Sequence, residues 1–337
     1  MKQRLIITGG FGYIGSHLIS QMSSSNDVLV VDDLSNSEKS VIEKIQTISN
    51  ANVDSEVFDI TNTAKLKSVF LKFRPQTVIH LAGKKSVPES IEQPLQYYSN
   101  NVAGTLSVLH AMEATDCKHI VFSSSATVYG TPKYVPIDEL HPTSPTNPYG
   151  MSKLMSENII RDWCELGEGR TGVILRYFNP IGANKSGHLF EVGASKSTNL
   201  MPKLLQAAFD TSTELTIYQN NHETPDRSGI RDYIHVVDLA DAHITAVNLL
   251  DSLQNFSIFN IGTGIPTSVV QLIKSFEKTN NVSISKKRGQ MRPGDVPEVW
   301  ASATKANQKL KWKATRNIDD MCKDSWLAFL KQNSDQY

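Results

Sequence analysis

The sequence predicts an α/β fold: a doubly wound parallel sheet covered by helices on both faces, followed by a smaller mixed α/β C-terminal lobe. In the first half of the chain, short apolar runs alternate with segments long enough for crossover helices, a pattern typical of parallel sheets. After Phe178 these runs shorten, and Gly and Pro become frequent in stretches such as "NPIGANKSGH" (179–188). We therefore predict a first domain over 1–178 and an interleaved second lobe over 179–337.

Six apolar runs are predicted to be the buried strands of the sheet. They are residues 4–8, 27–32, 53–59, 77–82, 119–124 and 171–178. All are rich in Val, Ile, Leu or Phe, as expected of strands that are covered on both faces. Ligands bind such sheets at the carboxyl ends of the strands, so the segments that follow these runs are where a site is expected.

Composition excludes several classes of function. The 337 residues include 34 basic and 34 acidic side chains, so no net field would recruit nucleic acid or an anionic membrane. No apolar stretch approaches membrane-spanning length, and the first apolar run, residues 5–7, is too short for the core of a signal peptide. The basic run "KKRGQMR" (286–292) is predicted to be a solvated loop or a contact for a phosphorylated ligand.

The cysteines indicate a reducing compartment. Cys117, Cys164 and Cys322 are odd in number and far apart, with no CxxC or metal-type pairing. Neither a disulfide framework nor a metal site is expected, and a cytoplasmic location is predicted.

The first strand runs into a glycine-rich turn, "TGGFGYIGSH" (8–17). Gly9, Gly12 and Gly15 stand there at a G-x-x-G-x-x-G spacing. Glycine permits a tight turn and lets the backbone approach a pyrophosphate, whose charge is favoured at a helix N-terminus. The turn therefore predicts a Rossmann-type dinucleotide site. The alternative is a strand-helix turn that uses glycine only for packing.

Two acidic residues follow later strands of the predicted sheet. Asp32 ends the second strand, where a carboxylate binds an adenosine ribose in Rossmann-type domains. Because another aspartate follows it and no basic residue is near before Lys39, NAD is preferred over NADP. Asp59 follows the third strand and is predicted either to contact the adenine end of the dinucleotide or to cap a helix that starts at Thr61.

The stretch "NPYGMSK" (147–153) places Tyr149 and Lys153 four residues apart, directly after a proline that suits a first helical turn. The two side chains are expected on one face of a helix. A neighbouring ammonium favours a phenolate, so the pair would supply a base usable near neutral pH. The alternative is a tyrosine and a lysine on the surface of an amphipathic helix.

The fifth strand runs into "SSSATVYG" (123–130), which puts serine hydroxyls at the ligand side of the sheet. Such a hydroxyl can hydrogen-bond a sugar or alcohol oxygen, or it can cap its own turn. With Tyr149 and Lys153 it completes a Ser, Tyr and Lys set beside a dinucleotide. That set is suited to taking a proton from an alcohol while hydride leaves the same carbon for nicotinamide.

These motifs resemble the extended short-chain dehydrogenase/reductases. Four further stretches, "LRYFNPIGA" (175–183), "NLMPKLL" (199–205), "GIRDYIHVVDLADAH" (229–243) and "RPGDVPEVWAS" (292–302), are similar to the UDP-hexose 4-epimerases. The resemblance implies an isomerase with tightly held NAD. It would invert C4 of UDP-GlcNAc/UDP-GalNAc, of UDP-Glc/UDP-Gal, or of both pairs, through a transient 4-keto sugar. Galactose metabolism and the supply of polysaccharide sugars are both compatible with that activity.

The resemblance also implies roles for individual residues. Tyr149 would remove the proton of the sugar 4-OH, and Lys153 would lower the pKa of that phenol. Ser125 would take the hydroxyl role, with Ser123 and Ser124 as alternatives. Cofactor contacts would fall on Gly9, Gly12, Tyr13, Ile14, Gly15, Asp32, Asn36, Ser37, Asp59, Ile60, Lys85, Asn100, Tyr149, Lys153 and Tyr177. UDP-sugar contacts would fall on Ser125, Asn179, Asn199, Leu200, Tyr218, Arg231, Arg292, Asp295 and Val299.

Three departures from the family pattern concern the substrate. Val299 stands where many bacterial members carry a tyrosine that borders the C2 substituent of the sugar, so valine would leave room for an N-acetyl group. The alternative is that neighbours such as His188, Leu189 or Phe190 fill that space. The loop "GHLFEVGAS" (187–195) lacks the family's acidic, proline-containing pattern, and Arg227 stands where glycine is usual.

Two competing functions share this fold, and the resemblance also concerns the assembly. A nucleotide-sugar 4,6-dehydratase would need an Asp-Glu pair where this chain has Ala126 and Thr127, and a non-catalytic NAD sensor would typically lack the tyrosine or the lysine. The helices at 94–114 and from Pro148 resemble the dimer-forming pair of the family. A homodimer is therefore expected, unless those apolar faces pack within the monomer.

Overall fold

The computed structural model describes residues 2–191, 199–219, 224–290 and 295–334. Its strands are β1 (Arg4–Thr8), β2 (Asp27–Asp32), β3 (Asp54–Val57), β4 (Thr77–His80), β5 (His119–Ser125), β6 (Thr171–Tyr177), β7 (Asn179–Ile181), β8 (Leu215–Tyr218), β9 (Ile230–His235), β10 (Phe256–Ile261), β11 (Pro266–Ser268), β12 (Lys286–Gly289) and β13 (Glu298–Val299). Its α-helices are α1 (Tyr13–Met22), α2 (Ser40–Ser49), α3 (Thr63–Phe73), α4 (Val87–Glu92), α5 (Pro94–Tyr97), α6 (Ala103–Glu113), α7 (Pro148–Glu165), α8 (Leu200–Phe209), α9 (Val236–Leu249), α10 (Val269–Asn280) and α11 (Ile318–Ser334).

Within the described ranges, seven parallel strands form the central sheet in the order β10-β6-β5-β4-β1-β2-β3. The six strands predicted from the sequence are confirmed, with ends that differ by a few residues. The seventh, β10, was missed, because "FSIFNI" is a single short run in a region rich in loops. It pairs with β6 from Phe256↔Gly172 to Ile261↔Tyr177, so residues of the second predicted range complete the first sheet.

The central sheet is apolar on both faces. In β1, Leu5 and Ile7 belong to the core on the side of α1 and α9, whereas Ile6 belongs to the core on the opposite side. This alternation follows from the two-residue repeat of a strand, and it requires helices on both faces. Burial of each such side chain contributes about 1.5–3 kcal/mol, so the two cores that flank the central sheet are its main source of stability.

The second lobe has its own small sheets and core. Strand β9 pairs with β11 on one side and β13 on the other, β7 also pairs with β9, and β12 pairs with β8. Leu204, Leu272, Phe276 and Met321 are among the buried residues of a core between α8, α10 and α11. Strand β7 follows β6 after one residue, which brings this lobe to the carboxyl end of the central sheet.

The N-termini of helices α7 and α3 confirm one prediction and contradict another. Helix α7 begins where the sequence predicts, because the Asn147 side chain accepts the Gly150 N–H at 2.9 Å and Pro148 occupies the first turn. The alternative for Asp59 as a helix cap is wrong. Asn62 caps α3 by accepting the Lys65 N–H, while the Asp59 carboxylate accepts the N–H and hydroxyl of Thr61.

The basic run begins as a strand instead of a solvated loop. Lys286 and Lys287 lie in β12 and form ion pairs with Glu277 at 2.6 Å and Glu214 at 3.0 Å. The end of the run, including Arg292, lies outside the described residues.

Three features of the described ranges concern membranes, metals and disulfides. None of the helices there combines the length and the apolar character that crossing a membrane requires. The same ranges hold no cluster of three metal-ligating side chains, and Cys117, Cys164 and Cys322 are free and buried.

Candidate active site

The glycine turn between β1 and α1 is sterically demanding. Gly9 has a φ of +69°, and a Cβ there would lie 2.6 Å from backbone atoms of Ala82, the second residue after β4. A Cβ on Gly15 would lie 2.6 Å from the backbone of Gly10. Gly10, which the sequence analysis did not single out, packs against side chains of Ile19 and Val30. The loop therefore folds back on its own helix and on the neighbouring strand.

The N-terminus of α1 fits a pyrophosphate. Gly12 is the N-cap residue and makes no side-chain capping bond, and the first turn, with Tyr13 and Ile14, contains no acidic residue. Among the described residues, a Cβ on Gly12 would meet within 4 Å only Gly9 O of the same loop, at 3.3 Å. The N-cap position therefore leaves room for a dinucleotide phosphate, whose charge the positive end of the helix dipole favours.

Asp32 holds the glycine turn against the end of β2. One carboxylate oxygen accepts the Phe11 N–H at 3.0 Å, and the other accepts the Leu34 N–H at 2.8 Å and the Ser37 hydroxyl at 3.2 Å. Burial raises the pKa of Asp32, and these hydrogen bonds act in the opposite direction. Ser37 lies in the same turn, next to the exposed Asn36.

The other predicted cofactor contacts differ in exposure. Asp59 is exposed, whereas Ile60 is 4% exposed and part of the core. Tyr13 donates a hydrogen bond to Gly182 O at 2.5 Å, and Lys85 pairs with Glu191 at 2.7 Å. These two contacts join the glycine turn and the segment after β4 to the segment after β7.

Asn100 lies in a π-helical turn, Tyr98–Val102, inside the helix predicted over 94–114. Its neighbour Asn101 is buried, accepts the Lys84 N–H at 2.8 Å and donates to the Ser152 hydroxyl at 2.9 Å. Single π turns are frequent at functional sites. Here the turn joins the loop after β4 to α7.

Helix α7 contacts three consecutive serines at the end of β5. The Lys153 ammonium donates to Ser123 O at 2.8 Å and lies over the Phe122 ring. The Ser124 hydroxyl donates to Glu157. The Ser125 side chain acts on the Tyr149 phenol and lowers its pKa. Of the three candidate serines, Ser125 is thus the one that the structure brings to the Tyr149 phenol.

The Ser125 hydroxyl also caps its own turn. Its Oγ accepts the Thr127 N–H at 3.2 Å and the Thr127 hydroxyl at 3.0 Å at the start of a short 3₁₀ helix, Ala126–Tyr129. The structure confirms the capping role of this serine, and its contact with a sugar oxygen stays a prediction. The Tyr149 ring contacts Tyr97 edge to face, with 6.4 Å between centroids.

Burial controls the protonation of the pair. It raises the pKa of Tyr149, which Ser125 partly offsets, and it lowers the pKa of Lys153 to about 8, which Glu157 partly offsets. The net shift of the Tyr149 pKa is therefore upward, opposite to the direction expected from a neighbouring ammonium. Desolvation of the phenol has the larger effect, and the ammonium is directed at Ser123 O.

Two buried histidines near this pair were not predicted. His80, at the end of β4, bonds the hydroxyls of Thr8 at 2.7 Å and Thr105 at 3.1 Å, and burial lowers its pKa to about 3. His243 on α9 forms a short hydrogen bond with the Tyr177 hydroxyl. A histidine inside the strand pattern "TVIHLA" was the available signal for His80. His243 gave none, because its partner is distant in sequence.

The predicted substrate contacts lie on paired strands of the second lobe. Asn179 in β7 pairs with Tyr233 of β9, and Val299 in β13 pairs with Arg231 of β9. The Arg231 guanidinium donates to Ile230 O at 2.8 Å and to Pro297 O at 3.4 Å. The remaining candidates are distributed as follows: Tyr218 ends β8, Asn199 and Leu200 begin α8, Asp295 opens the last described range, and Arg292 lies outside it.

The side chains around Val299 are not the three that were expected to fill the space beside it. Val299 is half-buried and packs against a cluster that includes Ala126, Tyr129 and Phe178. The three residues suggested to fill its space belong elsewhere: Leu189 to the core beside α1, Phe190 to the second-lobe core, and His188 to a 2.9 Å hydrogen bond from Lys331.

Arg227 has a φ of +58°, the left-handed conformation that glycine adopts without strain. The departure from the family's glycine therefore occurs at a position whose backbone still has the glycine-type conformation. The loop at 187–195 is described only to residue 191.

Comparison with known proteins gives a consistent result. The family model for GDP-mannose 4,6 dehydratase matches residues 6–325. UDP-glucose 4-epimerase 2 of Arabidopsis thaliana is 42% identical over 331 residues, covering 97% of this chain and 95% of that protein.

Solved structures agree. A UDP-glucose 4-epimerase from Stenotrophomonas maltophila, with bound NAD and formylated UDP-arabinopyranose, has a TM-score of 0.95 and 36% identity and covers 99% of both chains. The UDP-Glc/GlcNAc 4-epimerase of Campylobacter jejuni has a TM-score of 0.86 and 29% identity, covering 98% of this chain and 99% of that one. On this full-length similarity, the chain belongs to the UDP-glucose 4-epimerase family, within the extended short-chain dehydrogenase/reductases.

Proposed function

We propose that this protein is a UDP-hexose 4-epimerase that inverts C4 of its substrate reversibly, through a transient 4-keto sugar, with bound NAD. The observation that carries the proposal is the arrangement of Tyr149 and Lys153, one turn apart on α7, against Ser125 and Ser123 at the carboxyl end of β5 in the central sheet. The activities named for the Arabidopsis and Stenotrophomonas relatives support it. Fold alone would not suffice, because this fold hosts several activities.

The residues present fit NAD. The uncapped N-terminus of α1 suits the pyrophosphate, Asp32 lies where the adenosine ribose is bound in such folds, and Lys153 is within the same strand-end region. Bound NAD would accept the C4 hydride and return it to the other face of the sugar. The proposed cofactor contacts Tyr13, Ile14, Asn36, Ser37, Asp59, Ile60, Lys85, Asn100 and Tyr177 follow from the family resemblance.

The chain's own residues handle the proton and the nucleotide. Tyr149 takes the 4-OH proton and returns it, Ser125 orients the 4-oxygen, and Lys153 places positive charge near the phenol. Arg231 and Arg292 would bind the diphosphate, because guanidinium groups match phosphate oxygens. Asn179, Asn199, Leu200, Tyr218 and Asp295 would contact the remainder of the UDP-sugar.

The direct test mixes purified protein, without added cofactor, separately with UDP-GlcNAc and UDP-glucose and quantifies the C4 epimers by NMR. We expect an epimer from at least one substrate, because the cofactor is regenerated in each turnover. A 4-keto-6-deoxy product would instead indicate the dehydratase. That outcome is disfavoured because Ala126 and Thr127 offer no carboxyl group. Bound NAD without any product would indicate a sensor.

We propose further that UDP-GlcNAc and UDP-GalNAc are accepted. Val299 is smaller than tyrosine and lies beside Arg231 in the strand pairing, and the Campylobacter relative is named for both UDP-Glc and UDP-GlcNAc. Such a substrate range would suit supply of polysaccharide sugars as well as carbohydrate metabolism.

Val299→Tyr is expected to lower kcat/KM for UDP-GlcNAc by roughly 10–200-fold, the range that one steric group in a pocket provides, and to leave UDP-glucose turnover nearly unchanged. Steady-state kinetics with both substrates measure this. Val299→Ala is the matched control and should keep both activities. An equal loss with both substrates in Val299→Tyr would contradict the steric assignment.

We also propose a cytoplasmic homodimer formed through the helices around α6 and α7. Exposed apolar side chains lie on this surface at Ile91, Leu95, Leu106, Met151 and Met155. Exposed apolar side chains on helices that pack against α7 support an interaction site there. The division of the chain near residue 178 into an NAD-binding domain and a UDP-sugar-binding lobe stays a proposal as well.

Leu95→Asp is expected to convert the dimer to a monomer, because a side chain that is 78% exposed in the single chain would place a charge in the interface. Sedimentation velocity at several concentrations measures the change. Leu140→Asp, at a position that is 90% exposed outside this surface, is the control and should stay dimeric. A wild-type protein that sediments as a monomer at all concentrations would remove the dimer proposal.

A further inference from the structure

Helix α7 carries a third polar side chain, Glu157, on the same face as Tyr149 and Lys153. Glu157 follows Lys153 by four residues, as Lys153 follows Tyr149, so the three side chains share one helix face. Each faces one of three consecutive serines: Lys153 donates to Ser123 O, Glu157 accepts from the Ser124 hydroxyl, and Ser125 lowers the pKa of the Tyr149 phenol. Together, Tyr149, Lys153 and Glu157 therefore interact with all of the last three residues of β5.

Glu157 is held from the other side by β6. Arg176 Nε donates to Glu157 Oε1 at 3.0 Å and Arg176 Nη2 to Oε2 at 2.6 Å, and both side chains are at most 4% exposed. Ser124 and Arg176 are register partners in β5 and β6. Glu157 therefore spans two paired strands, and the Arg176 guanidinium in turn lies 4.8 Å from the Tyr129 ring centroid.

We propose that Glu157 is a positioning residue of the reaction, which with Arg176 holds Ser124, and thereby the end of β5, in the place that brings Ser125 to Tyr149. The inference rests on the proposed epimerase function. A bidentate ion pair fixes a carboxylate in direction as well as distance. Ser125 is one residue from Ser124, so a shift of the strand end moves its hydroxyl directly.

A second consequence is electrostatic. The Glu157 carboxylate supports the protonated form of Lys153, whose pKa burial lowers to about 8. The titratable and charged groups facing this region are Tyr149 and Glu157 from α7, His80 from β4, and Arg176 and Tyr177 from β6. His80 stays neutral in the working range because its pKa is about 3, so the alkaline loss of charge is assigned to Lys153.

The first test is Ser124→Ala, which removes the serine contact and leaves the buried ion pair intact. We expect kcat to fall roughly tenfold with KM little changed, because misplacing a reacting group costs rate more than binding. Thermal unfolding of the variant is measured in parallel. Asp238→Asn, which disturbs a buried carboxylate paired with Arg316 elsewhere, is the control for lost stability and should keep its kcat.

The second test is Glu157→Gln. We expect a larger fall in kcat and an alkaline limb of the pH-rate profile that moves to lower pH, because the loss of a negative charge favours the neutral amine of Lys153. In Ser124→Ala that limb should stay in place. The double variant should be no slower than Glu157→Gln alone. If Glu157→Gln does not fold, Ser124→Ala decides.

The two possible failures are separable. Wild-type protein without epimerase activity would overturn the proposed function. Active wild-type protein, with a Ser124→Ala kcat within twofold of it and no movement of the alkaline limb in Glu157→Gln, would overturn only the role of Glu157.

Discussion

Tyr149→Phe is expected to lower kcat by about 10²–10⁴-fold, the usual contribution of a positioned general acid or base, while the protein keeps its NAD. The change removes one hydroxyl. The ring stays packed edge-on against Tyr97, and Lys153 keeps its hydrogen bond to Ser123 O. Turnover is followed by NMR of the C4 epimers, and NAD is quantified after acid extraction.

Tyr134→Phe is the matched control for that experiment. Tyr134 is 44% exposed and its hydroxyl bonds Asp138, away from the serine face of α7. It should retain wild-type turnover. A Tyr149→Phe protein with kcat within about threefold of wild type would refute the assignment of Tyr149 as the base, because an aqueous or histidine base would then have to act instead.

Gly15→Ala is expected to destabilise the fold by about 1–3 kcal/mol or more, the typical cost of overpacking. The new Cβ would lie 2.6 Å from Gly10 Cα and O, which are backbone atoms that cannot rotate away. The gain in helix propensity, about 1 kcal/mol for Gly to Ala, would not offset this. Thermal unfolding should show a lower Tm, and the protein should lose NAD because the turn and α1 must move apart.

Gly12→Ala separates binding from stability. Gly12 has φ −68° and ψ 177°, which alanine adopts without strain, and within the described part of the chain its Cβ would meet only the Gly9 carbonyl at 3.3 Å. We expect a Tm near that of wild type together with a much lower NAD content, because the methyl group would stand where the pyrophosphate approaches. Equal Tm losses in both variants would contradict this division of roles between the two glycines.

Much of the fold follows from local pattern. The six predicted strands are confirmed because continuous Val, Ile and Leu runs are needed wherever a strand is covered on both faces. The start of α7 at Pro148 follows from Asn147 and the proline, which act within four residues of each other. β10 was missed because its short run lies in a loop-rich region, and its place beside β6 is a pairing between distant parts of the chain.

The candidate site likewise combines features that are visible in local sequence with contacts that depend on tertiary structure. The glycine spacing and the Tyr149 and Lys153 spacing are visible in a few residues of sequence. The family resemblance named Ser125 among three serines, but its position beside Tyr149 depends on how α7 crosses β5. The contacts of Glu157, Arg176 and His80 were hidden in the sequence, since each has its partners on other elements.

By itself, the sequence determined the first six strands, the turn that suits a dinucleotide and the tyrosine and lysine that suit proton transfer, because each depends on neighbours along the chain. Only the tertiary structure decided the position of β10, the contact of Ser125 with Tyr149, and the direction of the pKa shift at Tyr149. The sequence predicted burial of neither Tyr149 nor Lys153. Desolvation is set by everything packed around a group, so it outweighed the charge four residues away.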